Sequence, residues 1–304
     1  MIDRKKVRVI LNGKKACIVT VRNAIEEVRK QSNSKISIRV TYEYGDMHRF
    51  IKESIDDEIT RVIVAGGDGT VNEAVDALAN HPKETRVELG IIPLGTANDF
   101  SKGCNIPLDT QESFQLALLG KTIPIDIIKV DKRYFINMAT AGFGAEVTKE
   151  TPPWLKNIFG GASYLITGIM KMASITPYTL DVKLPSKSFS ITGIVGAVCN
   201  GRQSGGGRVL APNAYINDGL LDAIVITDIM NADIPLIIEE LNNPQPDGIY
   251  VKGFKTPWIE VYSSKPAPLN LDGEPYNEKG NKVRYEVVPK AINLVLPSSC
   301  TCII

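Results

Sequence analysis

The first third of the chain alternates two hydrophobic rhythms. Continuous apolar runs, VRVIL (7–11), ISIRVTY (36–42), TRVIVA (60–65) and VELGIIPLG (87–95), are separated by stretches with the three- to four-residue spacing of amphipathic helices. Those stretches predict helices around 20–31, from Asp46 to Ile55, from the glycine turn after residue 65 to His81-Pro82, and over 109–119. Asn12-Gly13 marks the turn that ends the first run. Buried runs alternating with helices predict a largely parallel, doubly wound, Rossmann-like sheet with helices on both faces.

The rhythm changes past residue 124. IDIIKV (125–130) and RYFINMAT (133–140) read as consecutive strands, and TLDVKL (179–184) alternates with Thr179, Asp181 and Lys183 on one face. ITGIVGAVCN (191–200), GLLDAIVIT (219–227), WIEVYS (258–263), LNLDG (269–273) and VRYEVV (283–288) continue as strands, with helices expected only over 153–173 and 232–242. This half predicts an antiparallel β-sandwich. The expected division is 1–124 for the α/β domain and 125–289 for the β-rich domain. INLVLP and the tail (about 290–304) are read as returning to complete the first domain.

Composition narrows the functions. Lys plus Arg number 35 against 34 for Asp plus Glu, so the global basic field of a nucleic-acid binder is missing. The 43% hydrophobic and 23% charged fractions are those of an ordinary globular protein. The start, MIDRKKVRVI, has no signal-peptide core, and no segment approaches the ~20 apolar residues of a spanning helix. The expectation is a cytoplasmic protein whose membrane contact is peripheral. The five cysteines form no CxxC pair, and SSCTCII is no prenylation box because Thr301 stands fourth from the end. With only His48 and His81 available, a His-rich metal site and a Ser-His-Asp triad both start poorly.

Three motifs carry candidate chemistry. VAGGDGTVNE (64–73) places Gly66, Gly67 and Gly69 between a strand and a helix, where backbone N–H groups favour an anion and Thr70 can cap the helix or meet a phosphate oxygen. The plain alternative is a tight turn that needs glycine. The stretch is not GxGxxG, since Asn72 holds the third glycine position; Gly120-Lys121-Thr122 is not a P-loop, since Gln115 stands where glycine is required. PLGTANDFS (93–101) follows the next strand, so Thr96, Asn98 and Asp99 either cap a helix or face a ligand at the same sheet edge. Asp272-Gly273 in LNLDGEP (269–275) is a hairpin turn, or it presents Glu274 as a general base.

Taken in order, LNGK (11–14), TYEYGD (41–46), GGDGTVNE (66–73), PLGTANDF (93–100), INMATAGFG (136–144), CNGRQSGGG (199–207), APNAYINDGLLD (211–222) and LDGEP (271–275) resemble the diacylglycerol kinase catalytic family, close to its bacterial lipid kinases of the YegS type. The resemblance spans nearly the whole chain. It implies ATP in a cleft between the two domains and phosphoryl transfer to a lipid hydroxyl, that of diacylglycerol, phosphatidylglycerol or a similar lipid. By that resemblance Thr41, Gly67, Asp68, Gly69, Thr70, Val71, Asn72 and Glu73 contact the nucleotide, Thr96 faces them, and Glu274 is the base. Asp68, Asp99 and Asp126 match positions proposed to hold Mg²⁺–ATP. Asp218, with the carbonyls of Tyr215 and Leu220, matches a divalent-ion site suited to Mg²⁺ or Ca²⁺.

Other readings stay open beside it. An NAD kinase shares a GGDGT loop, although PLGTANDF and LDGEP point away from one. A nucleotide or lipid sensor without catalysis is the other class, disfavoured by intact Glu274, Asp68 and Asp99. The Trp154–Met172 stretch either packs in the core or lies on a membrane surface. GRQSGGGR (201–208) is either a glycine-rich hairpin or a cleft loop with Arg202 or Arg208 on phosphate. Oligomeric state is not legible.

Overall fold

The computed structural model describes residues 6–31, 34–142, 177–227, 234–276 and 280–304. The helix expected over 153–173 lies outside them. The first half runs β1 (Lys6–Asn12), α1 (Val19–Gln31), β2 (Lys35–Thr41), α2 (Asp46–Asp56), β3 (Arg61–Gly66), α3 (Asp68–Ala79), β4 (Glu88–Pro93), α4 (Asp99–Gly103) and α5 (Thr110–Leu119). The strands are parallel in the order β2-β1-β3-β4. Side-chain alternation explains the doubly wound layers. Val62 and Val64 pack with Ile51, Val71 and Leu78 of α2 and α3, whereas Ile63 and Ala65 pack with Val21, Ile25 and Phe114 of α1 and α5. Arg61 is buried in β3 and donates to the carbonyls of Ala117 (2.9 Å), Leu118 (2.7 Å) and Gly120 (3.1 Å), closing the end of α5.

The antiparallel half comprises β5 (Thr122–Val130), β6 (Arg133–Phe135), β7 (Met138–Gly142), β8 (Tyr178–Lys183), β9 (Ser188–Gly193), β10 (Val195–Cys199), β11 (Gln203–Ser204), β12 (Arg208–Val209), β13 (Leu221–Ile226), α6 (Ile234–Asn242), β14 (Val251–Thr256), β15 (Trp258–Ser263), β16 (Leu269–Leu271), β17 (Glu274–Tyr276) and β18 (Lys282–Val295). One sheet runs β14-β13-β10-β7-β16-β17. It faces an extension of the first sheet, β18-β15-β8-β9 with β5 and β6, across a core that includes Phe135, Val182, Ile259, Val225, Phe254 and Leu271. The sandwich therefore forms as the alternating patterns predict.

Three details depart from the sequence reading. RYFINMAT is two strands, because the N–H groups of Ile136 and Asn137 turn to the Asp272 carboxylate. ITGIVGAVCN also divides, at Ile194, where the chain passes from one sheet to the other. VRYEVV and INLVLP belong to one strand, β18, which pairs with β5 from Tyr285 to Val295 except at an irregularity between Val288 and Ile292. There Lys290 adopts φ 51°. Leu294 of β18 pairs with Ile123 on one side and with Leu89 of β4 on the other.

Candidate active site

In the order β2-β1-β3-β4 the chain direction across the sheet reverses between β1 and β3, the position where open α/β sheets bind ligands beyond the carboxyl ends of their strands. Asn12, Thr41, Gly66 and Pro93 end the four strands at this edge. Asn12 ties two of the loops together: its Nδ2 donates to Thr70 Oγ1 at 3.0 Å, and its Oδ1 accepts from Lys14 N at 3.0 Å. Thr41 Oγ1 accepts from Gly13 N at 3.3 Å and donates to the Leu11 carbonyl at 3.4 Å.

The Gly66–Gly69 turn needs its glycines for contact, not for unusual dihedrals. A Cβ on Gly66 would lie 2.3 Å from Thr70 Oγ1, and one on Gly95 would lie 2.5 Å from the Cα of Gly67. The two ligand loops thus touch backbone to backbone, and Leu94 N donates to Gly66 O at 2.7 Å. Asn98, at φ 51°, shapes the second loop by accepting from Gly95 N (2.8 Å) and donating to Gly95 O (2.9 Å). Thr96 between them is exposed. The helix beginning at Asp68 presents its N-terminus to this opening, which favours negative charge there. Val71 and Asn72 are buried behind the turn.

Glu274 reaches the turn from the sandwich. Its Oε1 lies 3.2 Å from where a Cβ on Gly69 would stand. It starts β17 one residue after Gly273, whose φ of 93° makes the hairpin tip, while Asp272 beneath it is fully buried. Asp272 accepts from the backbone N–H groups of Ile136 (3.0 Å), Asn137 (3.1 Å) and Met138 (2.7 Å). Burial pushes Asp272 up to about 7, partly opposed by these donors. With its amide nitrogen turned toward acceptors, Asn72 donates to Asp272 Oδ2 and to Tyr134 O, both at 3.1 Å, and so bridges the nucleotide turn to the hairpin. Partial desolvation, then the Glu274 charge, raises Glu73.

Asp68 and Asp99 form the second acidic pair. Burial and then the Asp99 charge raise Asp68, against backbone donors that include Phe100 N at 3.3 Å. Asp99 holds the β11–β12 flap by accepting from Gly206 N (2.9 Å) and Gly207 N (2.6 Å). A divalent cation fits this pair, because two partly buried carboxylates are repelling each other beside an anion-favouring helix end. The flap bears on one open reading, for which the Arg208 side chain lies outside the described residues. GRQSGGGR is a hairpin, and Arg202 is occupied by the carbonyls of Ala214 (2.7 Å) and Thr301 (2.9 Å), not aimed at a phosphate site.

Asp126 makes its hydrogen bonds elsewhere. It is fully buried, accepts from Gly219 N at 2.6 Å and Lys290 N at 2.7 Å, and is raised by burial and, among charges, first by Asp218. By contacts it belongs to the Asp218 loop. There Asp218 Oδ1 accepts from Leu220 N at 2.9 Å, and its Oδ2 pairs with Lys255 at 2.8 Å. Lys255 also pairs with Asp222 at 3.0 Å and lies 5.7 Å from the centre of the Tyr215 ring. The loop already holds a cation of its own, which would compete with a divalent ion for Asp218. Sequence reasoning missed Asn12, Asp76 and Asp272. Asp76 pairs with Arg133 (3.1 Å) and accepts from Tyr134 N (2.8 Å), locking α3 to β6. No local spacing signals these long-range partners.

A glycine turn at the switch point of a parallel sheet, met by a carboxylate from an antiparallel sandwich, suits an enzyme that holds a phosphate-bearing ligand beside a proton acceptor. The comparisons agree on the class. Residues 6–130 match the diacylglycerol kinase catalytic domain and residues 137–296 the YegS C-terminal NAD kinase beta sandwich-like domain. The chain is 44% identical over 299 residues to a probable lipid kinase YegS-like protein of Shewanella frigidimarina, covering 98% of this chain and 96% of that one. It is 43% identical over 294 residues to a protein of the same description from Serratia proteamaculans, covering 96% and 94%. Among solved structures, one described as a putative diacylglycerol kinase from Bacillus anthracis superposes with a TM-score of 0.80 at 22% identity, over 98% of this chain and 97% of that one. The chain belongs to the diacylglycerol kinase catalytic family, in its YegS-like branch.

Proposed function

We propose that this protein is an ATP-dependent lipid kinase that moves the terminal phosphoryl group of ATP to a lipid hydroxyl, with Glu274 as general base. The observation that carries the reading is the position of Glu274 over Gly69, a proton acceptor held against the nucleotide turn by a hairpin from the other domain. In phosphoryl transfer the protein mainly positions groups and neutralises charge. The amides of the Gly67–Gly69 turn and the Thr70 and Thr96 hydroxyls are suited to the phosphates. Asp68 and Asp99 are the residues to hold Mg²⁺, which would neutralise charge on the transferring group. Asp272 and Asn72 fix where the base stands.

The acceptor's apolar part has a place in the sandwich. An apolar cavity, open on one side, lies between the two sheets. It is walled by Ala139, Leu180, Val198, Phe254 and Leu269, among others. Leu269 belongs to β16, which pairs with the strand that begins at Glu274. A hydroxyl-bearing lipid with an acyl chain in this space suits the site better than NAD, whose two nucleotides are polar. No helix among the described residues is long and apolar enough to cross a membrane, which suits substrate capture by peripheral contact. We divide the chain at 124/125, with 290–304 completing the first domain through Leu294 and the packing of Cys300 and Cys302.

The test is transfer from labelled ATP, with Mg²⁺, into a panel of lipids that includes diacylglycerol and phosphatidylglycerol, with NAD as a control acceptor. A labelled lipid that disappears in Glu274→Gln supports the reading. Label in NAD alone, or ATP binding without any transfer to lipid, refutes it.

A further inference from the structure

Cys104, Cys300 and Cys302 converge in the core beneath the α2/α3 side of the first sheet. The Sγ atoms of Cys104 and Cys302 are 3.4 Å apart, those of Cys300 and Cys302 are 3.3 Å apart, and all three lie within 4.8 Å of one another. The residues are 2%, 7% and 1% exposed, so solvent does not satisfy them. A buried cysteine ordinarily serves as a small apolar filler, a role that does not require a second sulfur nearby. Here the fold joins thiols that are 198 positions apart in sequence, while Cys17 stays exposed and Cys199 sits in a different core cluster.

We propose that Cys104, Cys300 and Cys302 are a three-thiolate site for one soft metal ion. Sulfur donors select thiophilic ions such as Cu(I) and Zn(II) over Mg²⁺ and Ca²⁺. At the metal–sulfur length of about 2.3 Å usual for zinc, three coplanar sulfurs stand about 4 Å apart, so the two short separations need to widen by about 0.6–0.7 Å. Among the described residues no histidine or carboxylate joins the group. A structural zinc usually takes four protein ligands. Three sulfurs walled by Phe100, Ile106 and Ile216 therefore suit a three-coordinate monovalent ion, Cu(I), better than Zn(II). Exposed Ser299 and Thr301 flank Cys300 and give a route of entry. The site is independent of the lipid-kinase reading. Its structural effect would be to staple the end of α4, which Cys104 caps, to the C-terminal tail, whose Cys302 carbonyl already accepts from Ile216 N at 2.9 Å.

The full-length protein, purified under reductant, is titrated with Cu(I) against a competing chromophoric chelator and separately with Zn(II). Stoichiometry by native mass spectrometry, thiolate-to-metal charge-transfer absorption and the thermal midpoint are followed. The expected result is one ion per chain, the absorption band, and a raised midpoint. Cys104→Ala and Cys302→Ala should each abolish binding, whereas Cys17→Ala should leave it intact. Preference for Cu(I) supports the three-coordinate assignment; a site filled only by Zn(II) keeps the thiolate site and overturns that assignment. Wild-type protein that shows neither band nor stoichiometric ion, or that carries a disulfide among the three residues, overturns the proposal without reliance on any variant.

Discussion

Gly67 and Gly95 meet Cα against backbone at the mouth of the nucleotide site. A methyl group on Gly95 would stand 2.5 Å from the Cα of Gly67 and 2.7 Å from Asn98 Oδ1, while one on Gly67 would stand 3.0 Å from the Cα of Gly95. The contact is therefore asymmetric, although both loops depend on it. Gly95→Ala should cost about 1–3 kcal/mol by overpacking and raise the KM for ATP, and Gly67→Ala should do both more mildly. Chemical denaturation together with ATP kinetics checks the ranking. A Gly95→Ala protein as stable and active as wild type would show that the loops separate freely.

Glu274→Gln keeps the size of the side chain and removes its basicity. Turnover should fall about 10²–10⁴-fold while ATP affinity is retained. Single-turnover transfer alongside a direct nucleotide titration separates the two effects. A parallel loss of affinity would make the residue a nucleotide ligand instead.

Asp272 sets a pH dependence of stability. An ordinary aspartate titrates at 3.8, and burial raises this one to about 7. Between those values the folded chain holds a proton that the unfolded chain has lost. Its contribution is complete below about pH 4 and declines as pH rises toward 7, by up to about 1.4 kcal/mol per pH unit. Urea unfolding at several pH values should show this slope in wild type, and Asp272→Asn should flatten it. The same substitution also sets an amide where the acceptor of three N–H groups stood, so it should lower stability overall by about 1–3 kcal/mol.

Asp99 holds the Gly206 and Gly207 amides. Asp99→Ala should speed hydrogen exchange at those two positions about 10- to 100-fold, the equivalent of charge-assisted bonds worth about 1.5–3 kcal/mol. Asp99→Asn, which retains an acceptor oxygen, should fall between. Unchanged exchange in Asp99→Ala would mean that the flap is held by its own β-ladder.

Lys255→Met leaves Asp218 and Asp222 without their ammonium partner. Calcium or magnesium affinity at this loop should then rise at least about tenfold, since two carboxylates gain a vacancy for a hard cation. Isothermal titration of wild type and variant reads the difference. Equal affinities would mean that Lys255 does not compete for the site.

Much of the fold was legible because its two halves follow different periods. Buried runs alternating with helices mark β1 to β4, and two-residue alternation marks β8. The strand over VKGFKT, β14, was not read, because Gly253 and the flanking lysines mask its alternation. The breaks at Ile136 and Ile194 were hidden too, since they arise from a distant carboxylate and from a change of sheet. At the site, glycines and Glu274 announce themselves in motifs. Asn12, Asn72 and Asp272 become positioning groups only when β1, α3 and the β16–β17 hairpin converge, which no window of sequence contains. Asp126 is the opposite case: its acidic character was visible, while its hydrogen-bond partners Gly219 and Lys290 were not.

The strand Lys282–Val295 is the last regular element of the chain, yet it lies inside the larger sheet, paired with β5 over Tyr285–Val288 and Ile292–Val295 and with β15 and then β4 on its other edge. During synthesis the nucleotide-binding sheet must therefore wait with β4 unflanked until the residues around Leu294 have left the ribosome. The nucleotide-binding sheet is closed by residues 282–295, so truncation near residue 280 should leave neither half able to fold alone, even though the nucleotide turn was made more than two hundred residues earlier.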